Sequence, residues 1–175
     1  VDDYYRMAEV GILGPDDRVE LLDGQVVEMS PIGRRHAASV RRLNQRLSQL
    51  LGDKGLIDVQ NPVRLGERSE PQPDVTVLKP RADAYATRHP QPDDVLLLIE
   101  VADTTLERDL EIKLPLYARA GIPEVWVVDL PGDGIRTHRH PVGEEYMDVR
   151  VARRGETLTP VLLPGVTVSV DEILG

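Results

Sequence analysis

The chain has 175 residues, no cysteine and a formal net charge of −9. That length suits one domain with a sizeable core, and the missing cysteines exclude disulfides, thiolate catalysis and cysteine-ligated zinc or iron–sulfur centres. Phe is absent, with one Trp and five Tyr, so the interior must be built from Leu, Val, Ile and Ala.

No apolar run approaches the roughly 18 residues that would suggest a membrane span, and residues from Val1 onward lack a basic and apolar leader. A cytoplasmic protein without membrane contact is expected. The acidic balance argues against indiscriminate phosphate binding, but its distribution is uneven. Residues 30–50 hold five arginines (Arg34, Arg35, Arg41, Arg42, Arg46) and no acid, so this stretch is +5 and the remainder −14, since −9 − 5 = −14.

In chain order, DDYYRMAEVGIL reads as a short helix ending near Gly11 or Gly14. RVELLDGQVVEMS reads as a hairpin around Asp23-Gly24, with Glu20 on its first strand. From about Arg34 to Leu51, apolar residues recur at steps of three or four (His36, Val40, Leu43, Leu47, Leu50), which predicts a helix closed by Gly52 and Gly55. Strands follow around Ile57–Leu65, Pro73–Leu78 and Val95–Val101, the last apolar enough for the centre of a sheet. A helix is predicted from Thr104 to Ala120, opened by a Thr104/Glu107 capping box, kinked at Pro115 and capped by Gly121. PEVWVVDL is another buried strand, so strand, helix and strand over 95–130 form a parallel crossover unit. Further strands follow Gly134, with turns at 141–143 and 154–155. The expected architecture is α/β, a mixed β-sheet flanked by helices.

Two acids lie in strand surroundings, Asp74 in QPDVTVL and Glu100 in VLLLIEVAD, and Lys113 follows at helical distance. A carboxylate ending an almost wholly apolar strand is costly to desolvate and needs a cation, a metal or a hydrogen-bond network. Carboxylates supply hard oxygen ligands to Mg²⁺ or Mn²⁺, a bound metal lowers the pKa of its water, and a lysine can stabilise developing negative charge. These residue types match hydrolysis of a phosphodiester.

Here the chain resembles the PD-(D/E)XK nuclease superfamily, and within it the Uma-type putative restriction endonuclease family. The matching segments are RVELLDGQVVEMSP, RRHAAS, QPDVTVL, VLLLIEVAD and ERDLEIKLPLYARAGIPEVWVVDL. The resemblance implies a single restriction-endonuclease-like domain over 1–175, with an N-terminal helix and hairpin (1–33), a nuclease core (34–130) and C-terminal strands (131–175). It also implies divalent-metal-dependent DNA cleavage. Asp74 and Glu100 answer to the two acids and would be the metal ligands. The superfamily places its lysine two residues after the second acid, where this chain has Ala102; Lys113, from the following helix, takes its part. A helix starting near Thr104 advances about 14 Å before Lys113, so it must pack back across the sheet to bring the lysine to Glu100.

Glu20 is a third acid that the family pattern brings to the site, or else the polar residue of an alternating strand. His36 in RRHAAS matches the family as a group near substrate, with Arg34, Arg35 and Arg42 as candidate DNA contacts; the bland reading of the arginines is a solvated helix face. Lys113 and Asp109 are spaced as an ordinary helical ion pair. His138 and His140 share one face of a strand but make a poor metal site alone. Cutting both strands of a duplex would be simplest from a homodimer, with apolar strand edges in the C-terminal third as the interface. Two rival readings are a non-cleaving nucleic-acid-binding or interaction protein of the same fold, and a hydrolase of small phosphodiesters. No phosphate-cradling Gly-rich loop supports the second.

Overall fold

The computed structural model describes every residue except Thr105 and the side chain of Arg108. It begins with α1 (Asp2–Glu9) and a hairpin of β1 (Val19–Leu22) and β2 (Gln25–Glu28). Asp23 and Gly24 have φ of 48° and 81°, the left-handed pair that lets a two-residue turn follow the twist of its strands. Next comes α2 (Arg34–Leu51), which buries Val40, Leu43, Leu47 and Leu51 along one stripe. Leu43 and Leu47 are wholly enclosed, each worth about 1.5–3 kcal/mol of burial.

The main sheet has six strands: β3 (Leu56–Val59), β4 (Val75–Leu78), β5 (Val95–Ala102), β6 (Glu124–Asp129), β7 (Gly134–Val142) and β8 (Glu145–Arg153), adjacent in that order. Only β5 and β6 run parallel, as the crossover required. One face carries Val75, Val77, Leu97, Ile99, Trp126 and Ile135 against α2 and the C-terminal helix α5 (Val170–Leu174). The other carries Leu98, Ala102, Val125 and Val127 against Leu114 and Tyr117. All eight residues of β5 are buried, which accounts for its near-continuous apolar sequence. A small pair, β9 (Thr157–Leu158) and β10 (Val168–Ser169), lies apart from the main sheet.

Three expectations change in detail. The strand predicted over 57–65 ends at Val59 because Gln60 turns to φ 55° and Pro62 lacks the amide a ladder needs. The helix predicted over 104–120 is three pieces: a turn, α3 (Leu106–Arg108), a π-helical turn (Asp109–Lys113) and α4 (Leu114–Arg119). The irregularity therefore precedes Pro115, which occupies the first turn of α4, where a proline's missing N–H costs least. The proposed Thr104/Glu107 capping box spans Thr105, outside the described residues. Gly121, at φ 79°, does close α4, with Ile122 N–H bonded to Tyr117 O at 3.0 Å.

His138 is buried on β7 against the Tyr146 ring, and burial, with Arg136 nearby, lowers its pKa to about 4. The unfolded chain takes its proton near pH 6.5, the folded protein only near 4, so stability falls as pH drops across that window. The loss should be up to about 3 kcal/mol, and His138→Gln should flatten this acid limb when urea midpoints are measured from pH 7 to 4. An unchanged limb would remove the assignment. His140 has φ 57°, which interrupts the alternation that would have faced it with His138. Among the described residues no group of three or more acids and histidines is placed to hold a metal ion by itself.

Candidate active site

A cleft of about 200 Å³ opens where the end of β5, the start of α2 and the π-helical turn meet. Glu20, His36, Asp74, Glu100 and Lys113 all line it. Each is delivered by a different element.

Glu100 reaches the cleft because β5 alternates: Leu98, Glu100 and Ala102 share the face that α4 covers, while Leu97, Ile99 and Val101 face α2. Asp74 immediately precedes β4, whose Val75 pairs with Ile99, so the antiparallel register sets Asp74 beside Glu100. Proline at 73 offers no amide to extend the ladder. The Asp74 carboxylate takes over instead: Oδ2 accepts from Val101 N–H at 2.8 Å and from His36 Nε2 at 2.9 Å, and Oδ1 accepts from Gln60 Nε2 at 3.3 Å.

The helical segment does pack back across the sheet. Lys113 Nζ is 3.1 Å from Glu100 Oε1 and 3.1 Å from Glu20 Oε2. One turn later the Tyr117 hydroxyl donates to the same Glu100 Oε1 at 2.5 Å, so neither contact uses Oε2. Glu20 is held in turn by Gln72 N–H at 3.2 Å, and its strand is pinned by Glu70 N–H to Leu21 O at 2.8 Å.

Burial pushes the Glu100 carboxyl up from its ordinary range; Lys113 opposes this, while Asp109 and Asp74 add to it. Burial also opposes charge on Lys113, but Glu100, Glu20 and Asp109 outweigh it and hold the ammonium protonated. Lysine is thus the fixed charge of the cleft, and any surplus proton belongs to Glu100. Burial disfavours charge on His36 as well, yet the hydrogen bond and charge of Asp74, with Asp109 and Asp103, raise its pKa. Tyr117 stays a phenol, held well above its usual range chiefly by burial.

Sequence reasoning treated Asp109 only as a surface partner of Lys113. It is buried and lines the cleft, because the wider π turn lets Asp109 and Lys113 both face inward. Tyr117, Gln60, Gln72, Asp103 and Arg18 were also missed; the Tyr117 spacing of four from Lys113 is the one signal that could have found it.

The candidate arginines are not drawn into the cleft. Arg34 is exposed, and Arg35 lies beside the rim, 3.3 Å from Asp103. Arg42 lies farther along α2 and bonds Leu174 O at 3.1 Å, which ties it to the C-terminal helix.

Five carboxyls (Glu20, Asp74, Glu100, Asp103, Asp109) therefore line the cleft with the Lys113 ammonium, the Arg18 guanidinium and the His36 imidazole. This excess of hard anionic oxygen suits a divalent cation held by one or two carboxylates and several waters. Asp74 and Glu100 are the fitting pair, since the register places them side by side.

Among solved structures, one described as a putative nuclease belonging to DUF820 from Anabaena variabilis ATCC 29413 superposes with a TM-score of 0.70 at 12% identity, covering 95% of this chain and 94% of that one. The fold is accordingly restriction-endonuclease-like. No curated protein matches the sequence. The family model Uma2, described as "Putative restriction endonuclease", matches residues 1–171. With a match over nearly its whole length, the chain belongs to the Uma2 family.

Proposed function

We propose that the protein is a divalent-metal-dependent endodeoxyribonuclease, with Asp74 and Glu100 as metal ligands and Lys113 as the cation at the reacting phosphate. The observation that carries this reading is the placement of Lys113 Nζ 3.1 Å from both Glu20 and Glu100 in the cleft that Asp74 lines. When bound there, Mg²⁺ or Mn²⁺ supplies a water of lowered pKa and neutralises phosphoryl oxygens.

The chain's own groups do the rest. Lys113 orients the attacking water and stabilises charge on the phosphoryl group as a buried, fixed positive charge. Glu20 and Tyr117 keep Lys113 and Glu100 in register. His36 anchors Asp74 at Oδ2, and Arg34, Arg35 and the cleft residue Arg18 lie where a phosphate backbone would approach. A two-fold dimer through the C-terminal strands would present two clefts to one duplex.

Supercoiled plasmid should be nicked in Mg²⁺ or Mn²⁺ and left intact in EDTA. Plasmid that is bound but uncut in both metals would select the second reading, a non-cleaving DNA-binding protein, which the net charge of −9 and the alanine at 102 favour.

A further inference from the structure

Strand β8 ends the main sheet and pairs only with β7. Its nine residues leave a long edge whose outward N–H and C=O groups need a partner or protection. Protection is missing on one face: Val149 and Val151 are 53% and 44% exposed and, being two apart, share it, with Met147, 66% exposed, next along the edge. Asp148 and Arg150 lie between them on the opposite face, joined to each other at 2.9 Å.

The backbone hydrogen bonds of the sheet fix which groups are available. Leu130 N–H bonds Ala102 O on β5, so Val125, Val127 and Asp129 turn their N–H and C=O to β7 and pair with His138, Arg136 and Gly134. The alternation continues across β7, whose Ile135 and Thr137 turn to Ala152 and Arg150, and the N–H and C=O of Val149 and Val151 point away from β7.

We propose that β8 pairs with β8 of a second copy of this chain, antiparallel, about a two-fold axis at Val149. The sequence of the strand, EYMDVRVAR, is complementary to its own reverse about that residue. Asp148 meets Arg150 of the partner subunit, and Glu145 meets Arg153 of the partner subunit. Val149 meets its own copy, and Met147 meets Val151 of the partner subunit, so the apolar residues of the edge are covered by those of an identical edge. Moving the axis to either neighbouring residue would set Asp148 against Asp148 or Arg150 against Arg150, which like-charge repulsion disfavours. The result is an isologous dimer with a continuous sheet of twelve strands, twice the six of one copy.

This inference specifies the dimer suggested above and is tested without DNA. Light scattering on the wild type at tens of micromolar should give twice the 19.5 kDa protomer mass. Asp148→Arg should weaken the dimer about tenfold or more, and the double exchange Asp148→Arg with Arg150→Asp should restore it. Because the chain has no cysteine, Val149→Cys offers one thiol per copy at the axis, and mild oxidation should link two copies through it. A monomeric wild type would overturn both this interface and the dimer reading. A dimer that keeps its mass in Asp148→Arg and fails to link through Val149→Cys would overturn the β8 interface alone. Neither outcome bears on the cleft, which plasmid nicking reports separately.

Discussion

Glu100→Gln should lower metal-dependent nicking on the order of a thousandfold or more while leaving the fold as stable as the wild type or more so. Gln keeps the size of the side chain and an oxygen for the Tyr117 hydroxyl, and Lys113 retains Glu20 at 3.1 Å. What disappears is a buried charge that burial itself disfavours.

Lys113→Met should also end nicking but should cost about 3–5 kcal/mol of stability, the penalty for leaving buried carboxylates without their cation. Nicking rates and urea midpoints, taken together, separate the two. The pH dependence has a definite sign. The folded-state pKa of Glu100 lies above its ordinary 4.5, so the folded protein binds that proton more tightly. Its contribution is complete below pH 4.5 and is lost as pH rises through the folded-state value. Glu100→Gln should remove this decline. Nicking that survives in Glu100→Gln would sink the assignment of the metal ligands.

Asp74 gives the second large effect, and the choice of replacement matters. Asp74→Asn retains an acceptor for Val101 N–H, now 2.8 Å from Oδ2, so the fold should hold while nicking falls by about three orders of magnitude with loss of the anionic ligand. Asp74→Ala removes the acceptor altogether and strands a buried amide, adding about 1–3 kcal/mol of destabilisation. Equal thermal midpoints for the two variants would mean that Asp74 has no such backbone role. Nicking that persists in Asp74→Asn would mean that it is not a ligand.

Much of the site was legible because its acids interrupt simple patterns. An acid ending an apolar run marks Glu100, and the start of α2 put His36 at the head of a buried stripe. The ends of α2 at Arg34 and Leu51 and the Asp23-Gly24 turn also agree with expectation, since helical periodicity and turn chemistry are local. What lay hidden depends on contacts distant in sequence. Asp109 looks like a surface residue until the π turn rotates it inward. Gln60 reads as part of a strand, yet its positive φ ends β3 and its amide turns to Asp74. Glu124 lies in a strand rightly read as buried, but nothing local names its partners: it is fully enclosed and accepts from Arg139 Nε at 2.8 Å and Trp126 Nε1 at 2.7 Å. No neighbour in sequence reports such partners.

The small side chain at Ala102 has a geometric meaning. It is wholly enclosed in the cluster that includes Leu114 and Tyr117, so the volume into which a lysine at 102 would extend is filled by α4, which directly follows the π-helical turn that carries Lys113. A strand-borne lysine and a helix-borne lysine are therefore mutually exclusive occupants of one space. The ammonium can come from either element, but restoring it at 102 would first require α4 to be moved or thinned, so no single substitution connects the two arrangements.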